Sequence, residues 1–162
     1  MMEPFDFIEM RYPAKADYVG VIRLCISGIA NRMGFSYEDI EDLKVAISEA
    51  ATNVVTHAYD TKGEGEMTIG FGVYPNRLEI MVADHGDSFD LVKIKAEIGP
   101  YDKTTERIDN LREGGFGLFL INALMDKVEI NNKYGVIVLM TKFLNGTEVG
   151  LDDQIPSFQE EG

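Results

Sequence analysis

The sequence predicts an α+β two-layer sandwich, in which a mixed, mainly antiparallel sheet carries helices on one face. Three observations point there. Apolar residues recur at three- and four-residue steps in two long stretches, the pattern of helices buried along one side. Shorter stretches alternate apolar and polar residues, as half-buried strands do. Two pairs of these strands are joined by hairpin-length turns at Pro75-Asn76 and at Lys133 to Gly135, which suit antiparallel neighbours and not a doubly wound sheet.

Each element has its own signal. Phe7 to Tyr12 alternates as a short strand that Pro13 ends. Val19, Ile22, Ile26, Ile29 and Met33 then lie on one helical face, and Gly34 fits a C-terminal stop. Cys25 sits beside this stripe as a small core residue. Ser36 opens a second helix from about Tyr37 to Tyr59, with Ile40, Leu43, Ile47, Ala50 and Val54 as its apolar face. After the turn at Gly63 and Gly65, Met67, Ile69, Phe71 and Val73 form one strand. Leu78, Ile80 and Val82 form its partner, which ends at Asp84. From His85 to Glu113 the periodicity fades, and a loop this long inside a compact domain is functional or mobile. Phe116 to Met125 reads as an apolar helix, and Val128 to Asn132 and Val136 to Phe143 as two further strands.

Length and composition bound the function. The 162 residues suit one domain, expected over residues 1–149, with an acidic tail at 150–162. Hydrophobic residues at 45% and charged residues at 27% are ordinary for a globular protein. Lys and Arg number 15 against 28 Asp and Glu, a formal charge of -13 with no concentrated basic face. Such a chain is repelled by phosphate backbones and anionic lipid, so direct nucleic-acid or membrane binding is not expected. One cysteine makes no disulfide framework, and with two histidines it makes no plausible zinc site. The opening MMEPFDFIEMRY has neither the basic head nor the apolar stretch of a signal peptide, so a reduced, cytoplasmic setting is expected.

Three polar clusters interrupt this pattern. Glu49, Asn53 and His57 fall at i, i+4 and i+8 and project along one line beside the second helix's apolar face. Asp84-His85-Gly86-Asp87 follows a strand. It reads either as a turn or as an acceptor for a base edge beside a glycine that admits a flat ring. Gly114-Gly115-Phe116-Gly117-Leu118 opens a helix, where exposed N–H groups and the helix dipole favour an anion; a hinge with close packing is the other reading. No P-loop motif, GxGxxG spacing, HRD or DFG element, or GxSxG elbow is present.

In order, ExxxNxxxH on a helix, DxG after a strand and GGxGL opening a helix resemble the N, G1 and G2 boxes of the Bergerat-fold (GHKL) ATPases. That superfamily includes gyrase B subunits, heat-shock protein 90, histidine kinases and MutL. The stretches YVGVIRLCISGIANRMG, EDLKVAISEAATNVVTHAY, VADHGDSFD, GPYD and EGGFGLFLINALMD narrow the resemblance to the anti-sigma factor serine kinases, over nearly the whole chain from about Ile8 to Val149. Ser88 stands where the wider superfamily often has a second G1 glycine, and His85 where an acidic residue is usual.

The resemblance implies an ATP and magnesium site. It makes Glu49 the general base and Asn53 the magnesium ligand, through an oxygen suited to a hard cation. Asp84 would bond the adenine amino group and Gly86 would back the ring. Gly115, Gly117 and Leu118 form the phosphate-binding helix start, and Thr141 matches the threonine that supports the adenine–Asp contact. The ATP lid corresponds to about residues 88–113. The implied activity is transfer of the ATP γ-phosphate to a serine of an anti-anti-sigma factor, with sequestration of a general-stress sigma factor of the sigma-B type in the alternative complex. A homodimer is also implied. A histidine-kinase-type ATPase domain and a non-catalytic ATP-gated binding module remain as alternatives. The only histidines, His57 and His85, both lie within nucleotide boxes, so a phosphoacceptor would have to come from another chain.

Overall fold

The computed structural model describes residues 5–60, 65–86, 89, 99–100, 115–131 and 136–144, with backbone alone at 57–60, 99–100 and 115–117. The expected lid and acidic tail lie almost wholly outside these residues. Among the described residues six strands form one sheet: β1 (Asp6–Pro13), β2 (Glu66–Val73), β3 (Arg77–Ala83), β4 (Gly99–Pro100), β5 (Lys127–Asn131) and β6 (Ile137–Phe143). Their order is β1-β2-β3-β6-β5-β4. Every described pair is antiparallel, so the ladder is simpler than the mixed sheet expected. The two-residue β4 falls inside the stretch where periodicity fades, too short to leave an alternating pattern. Pro13 is the last residue of β1, which tolerates it because an edge strand leaves one side of its ladder unpaired.

Among the described residues three α-helices cover one face: α1 (Val19–Met33), α2 (Tyr37–Asp60) and α3 (Gly115–Leu124). Gly34 ends α1 at φ 95°, and its N–H bonds the carbonyls of Ala30 and Asn31. The next N–H, of Phe35, also returns to Ala30 at 3.1 Å, closing a Schellman-type stop. Ser36 then caps α2, its Oγ accepting the Asp39 N–H at 3.1 Å. The two helices therefore form a tight antiparallel hairpin.

Strand alternation builds the core. Met67, Ile69 and Phe71 on β2 face the helices, with Leu78, Ile80 and Val82 on β3, Val128 and Ile130 on β5, and Val138 and Met140 on β6. They meet Ile22, Ile26 and Ala30 of α1, Leu43, Ala46, Ile47, Ala50 and Ala51 of α2, and Leu118 and Ile121 of α3. Cys25 is half-buried at the margin of this core, with the Tyr12 hydroxyl 3.7 Å from its Sγ. Burial, followed by the contact with Cys25, pushes the Tyr12 hydroxyl up to about 12.

One polar side chain sets the relation between layers. Lys142 points from β6 toward the helices and is nearly buried. Its Nζ donates to the Leu124 carbonyl at 2.7 Å, at the C-terminus of α3. It also lies 3.9 Å from Asp39 and 3.7 Å from Asp42, in the first turns of α2. The end of α3 thus sits beside the beginning of α2, and α3 runs back antiparallel along it.

Lys142→Met keeps the aliphatic stem but leaves the Leu124 carbonyl without its donor, and should cost about 1–3 kcal/mol. Lys44→Met breaks only the part-exposed Lys44–Glu41 pair and should cost under about 0.5 kcal/mol. Urea denaturation of the two variants checks the difference.

Candidate functional site

Lys142 marks one end of the molecule, and the candidate residues gather at the other. From Leu78, its partner on β3, the chain climbs about 20 Å to Asp84. From Asp42, α2 climbs about 17 Å to Asn53. From Leu124 back to Gly115, α3 spans about 14 Å. Asp84, the Glu49–Asn53 line and the first turn of α3 therefore come to a common level.

Glu49 and Asn53 are half-buried, and the side of α2 that carries them is the one turned toward α3. Helical periodicity shows why. Asp39 and Asp42, which reach Lys142, share that side, whereas Ser48 faces α1 and accepts a hydrogen bond from Arg23 Nη1 at 3.4 Å. His57 continues the line on the backbone of α2, but its side chain lies outside the described residues.

Gly115 and Gly117 occupy the first turn of α3, and Leu118 is buried in the core. Leu118 thus seats the turn whose leading N–H groups have no partner within the helix. The sequence predicts this helix one residue late, because glycine is a poor helix former and only the backbone reveals that Gly115 belongs to it.

Asp84 is fixed by two bonds to the chain entering β6. Its Oδ1 accepts the Val136 N–H at 3.0 Å, and its own N–H reaches the Val136 carbonyl at 3.2 Å. Among the described residues its second carboxylate oxygen has no hydrogen-bond partner. The turn beyond is held by Thr68, fully buried on β2, whose hydroxyl donates to the His85 carbonyl at 2.8 Å. Glu66 lies so close over Gly86 that a Cβ there would overlap its carboxylate. The space at Gly86 is therefore already used on one side by Glu66. Among the described residues, neither ring nitrogen of His85 has a hydrogen-bond partner, although both are buried.

Thr141 is not part of this gathering. It pairs with Glu79, roughly 16 Å along β3 from Asp84. It also belongs to the opposite set of alternating residues, turned away from the helices. A threonine in the right strand is thus at the wrong register position, and the place beside Asp84 is taken by Val136. A backbone contact of this kind leaves no residue-type signature, so sequence reasoning had no means of finding Val136. Thr68 was equally hidden, as one polar position in an alternating strand.

Residues 12–142 match the histidine kinase-like ATPase domain family. The chain belongs to that family. Within it, the serine-protein kinase RsbW of Oceanobacillus iheyensis is 62% identical over 152 residues, covering 94% of this chain and 96% of that protein. The proteins of the same name from Bacillus subtilis and Bacillus velezensis are 51% and 48% identical, over 95% and 98% of this chain. They are themselves covered to 96% and 99%. The three boxes thus sit in a family whose domain is an ATPase, and the ATP-binding expectation stands. No helix among the described residues is long and apolar enough to cross a membrane.

Thr68→Val preserves volume but leaves the buried side of the His85 carbonyl unpaired. It should cost about 1–3 kcal/mol and weaken nucleotide binding, because the turn carrying Asp84 and Gly86 loses its brace. Denaturation and an ATP titration on the same sample measure both.

Proposed function

We propose that this chain is an anti-sigma factor and serine-protein kinase. It transfers the γ-phosphate of ATP to a serine of an anti-anti-sigma partner of the RsbV type, and in the alternative complex it holds a sigma factor of the sigma-B type away from RNA polymerase. The observation that carries this reading is the common level of three elements: the Glu49–Asn53 line, the N-terminus of α3 and the Asp84 turn. The relatives named above as serine-protein kinases support it.

Each group has a distinct task. Asp84, with one oxygen held by Val136, accepts the adenine amino group through the other. The N–H groups at Gly115 and Gly117 receive the phosphates, and the α3 dipole adds to their attraction. Asn53 offers an amide oxygen to a magnesium ion, which neutralises phosphate charge when bound. Among the described residues no three His, Cys, Asp or Glu side chains form a metal cage. Asn53 beside a triphosphate therefore fits a cation that takes most of its ligands from phosphate and water. The Glu49 carboxylate accepts the proton of the partner's serine hydroxyl as its oxygen attacks the γ-phosphorus. The bond from that phosphorus to the bridging oxygen breaks, and ADP leaves with the electron pair.

Glu49→Gln should lower phosphate transfer by about 100-fold or more while ATP still binds, the range for loss of a general base. Transfer that persists undiminished assigns the proton to another residue. Asp84→Asn retains an oxygen for the Val136 N–H but presents an NH₂ group where an acceptor is needed. It should leave the urea midpoint near wild type and weaken ATP binding at least tenfold. Chelating magnesium should weaken ATP binding sharply, and equal affinity with and without the ion would count against Asn53 as its ligand. ATP binding with no labelled phosphate reaching the partner's serine would favour a non-catalytic ATP-gated module.

A further inference from the structure

The solvent side of the helical layer is unusual for so acidic a chain. With 28 Asp and Glu and 15 Lys and Arg in 162 residues, outward helical positions should be rich in charge. They are not. From Val19 to Asn31 on α1 the sole charged residue is Arg23, and from Val45 to Thr56 on α2 it is Glu49. From Gly115 to Met125 there is none. The first turns of α2 show the ordinary pattern, with Glu38, Asp39, Glu41, Asp42 and Lys44, so the depletion is local.

Apolar side chains stand in the charge-poor region. Leu24 is 74% exposed on α1, Val45 is 40% exposed on α2 and Phe119 is 62% exposed on α3. They lie at one level across the three helices. Arg23 reaches Ser48, so the α1 turn that carries Leu24 lies alongside the α2 turn that carries Ser48. Phe119 precedes Leu124 by about 7.5 Å of helix, so with Leu124 beside Asp39 and Asp42 it comes level with Val45. Val45 and Glu49 are i, i+4 neighbours on the same helix. The row therefore runs past the candidate base.

We propose that this row, Leu24–Val45–Phe119, is the docking surface for the protein whose serine is phosphorylated, and that this partner carries a complementary apolar, charge-poor patch around that serine. The inference rests on the kinase reading and deepens it. Exposed apolar area with charge depleted at its centre is the composition of an interface core, and an exposed aromatic is the usual anchor of one. Continuity with Glu49 selects the occupant. A partner seated on this row brings its hydroxyl beside the Val45–Glu49 turn and within reach of that carboxylate, whereas a second copy of this chain seated there would cover Glu49 and block transfer.

Leu24→Glu, Val45→Glu and Phe119→Glu, all exposed positions, test the proposal in the full chain. The probe is a purified RsbV-type protein, with binding measured by calorimetry in the presence of a non-hydrolysable ATP analogue, and phosphate transfer measured separately. The expected result is a tenfold or greater loss of partner affinity and a matching rise in KM for the partner. The kcat, the ATP affinity and the sedimenting mass stay at wild-type values, and Phe119→Leu restores most of the binding. Wild-type transfer with unchanged KM in all three variants would overturn the docking surface and leave the kinase reading intact. Partner binding that the variants abolish, in a wild type that never transfers phosphate, would uphold the surface and overturn the kinase. A fall in sedimenting mass in the variants would assign the row to contact between copies and overturn the proposal.

Discussion

A single buried amine decides how the two layers of this protein meet. Lys142 leaves the sheet on its helical side and has to find oxygen, because an unpaired ammonium in a core costs far more than a hydrogen bond returns. It finds the last carbonyl of α3, and the carboxylates of Asp39 and Asp42 lie nearby. Those contacts put the end of one helix against the beginning of the other. The remaining geometry follows, since two antiparallel helices anchored at one end must bring the N-terminus of α3 and the C-terminal half of α2 together at the other. That end is where β3 gives way to Asp84.

The same arrangement explains how so acidic a chain can belong to an ATPase family. The donors that face an anion need not be lysine or arginine. Backbone N–H groups at the start of α3 carry no countable charge, yet they are fixed in direction and backed by the helix dipole. Asp84 shows the complementary economy. One carboxylate oxygen is used by the Val136 N–H to join β3 to β6, and the other is the one proposed to meet adenine. Thr68 and Glu66 hold the following turn from the sheet side, so the positions of Asp84 and Gly86 depend on packing and not on the turn sequence alone.

Charge is also distributed with a purpose across the helices. The first turns of α2 are dense with carboxylates, as suits a helix N-terminus. One helical turn further on, charge gives way to Val45, Ser48, Thr52 and Thr56, with Glu49 alone among them. The core does not require this at Val45, Thr52 and Thr56, which are exposed. The proposed docking row lies on this charge-poor stretch, beside the Glu49 carboxylate.

Periodicity and capping determined the local structure. Gly34 requires a left-handed backbone at the end of α1, Ser36 supplies an oxygen to the first turn of α2, and alternating Met67–Phe71 and Leu78–Val82 can bury only one face. These are interactions between near neighbours, so the sequence by itself carries them. The ExxxNxxxH, DxG and GGxGL spacings likewise disclosed the family, because residue types at fixed intervals are local facts. Contacts between distant segments were decided only by the tertiary structure. Register moved Thr141 to the far end and outer face of β6, and gave its expected place to the backbone of Val136. Thr68 under the His85 carbonyl, Glu66 over Gly86 and Lys142 between α2 and α3 are all of this kind. A strand fixes which face each residue takes, but the residue it meets depends on how the sheet is assembled, and no short stretch of sequence encodes that.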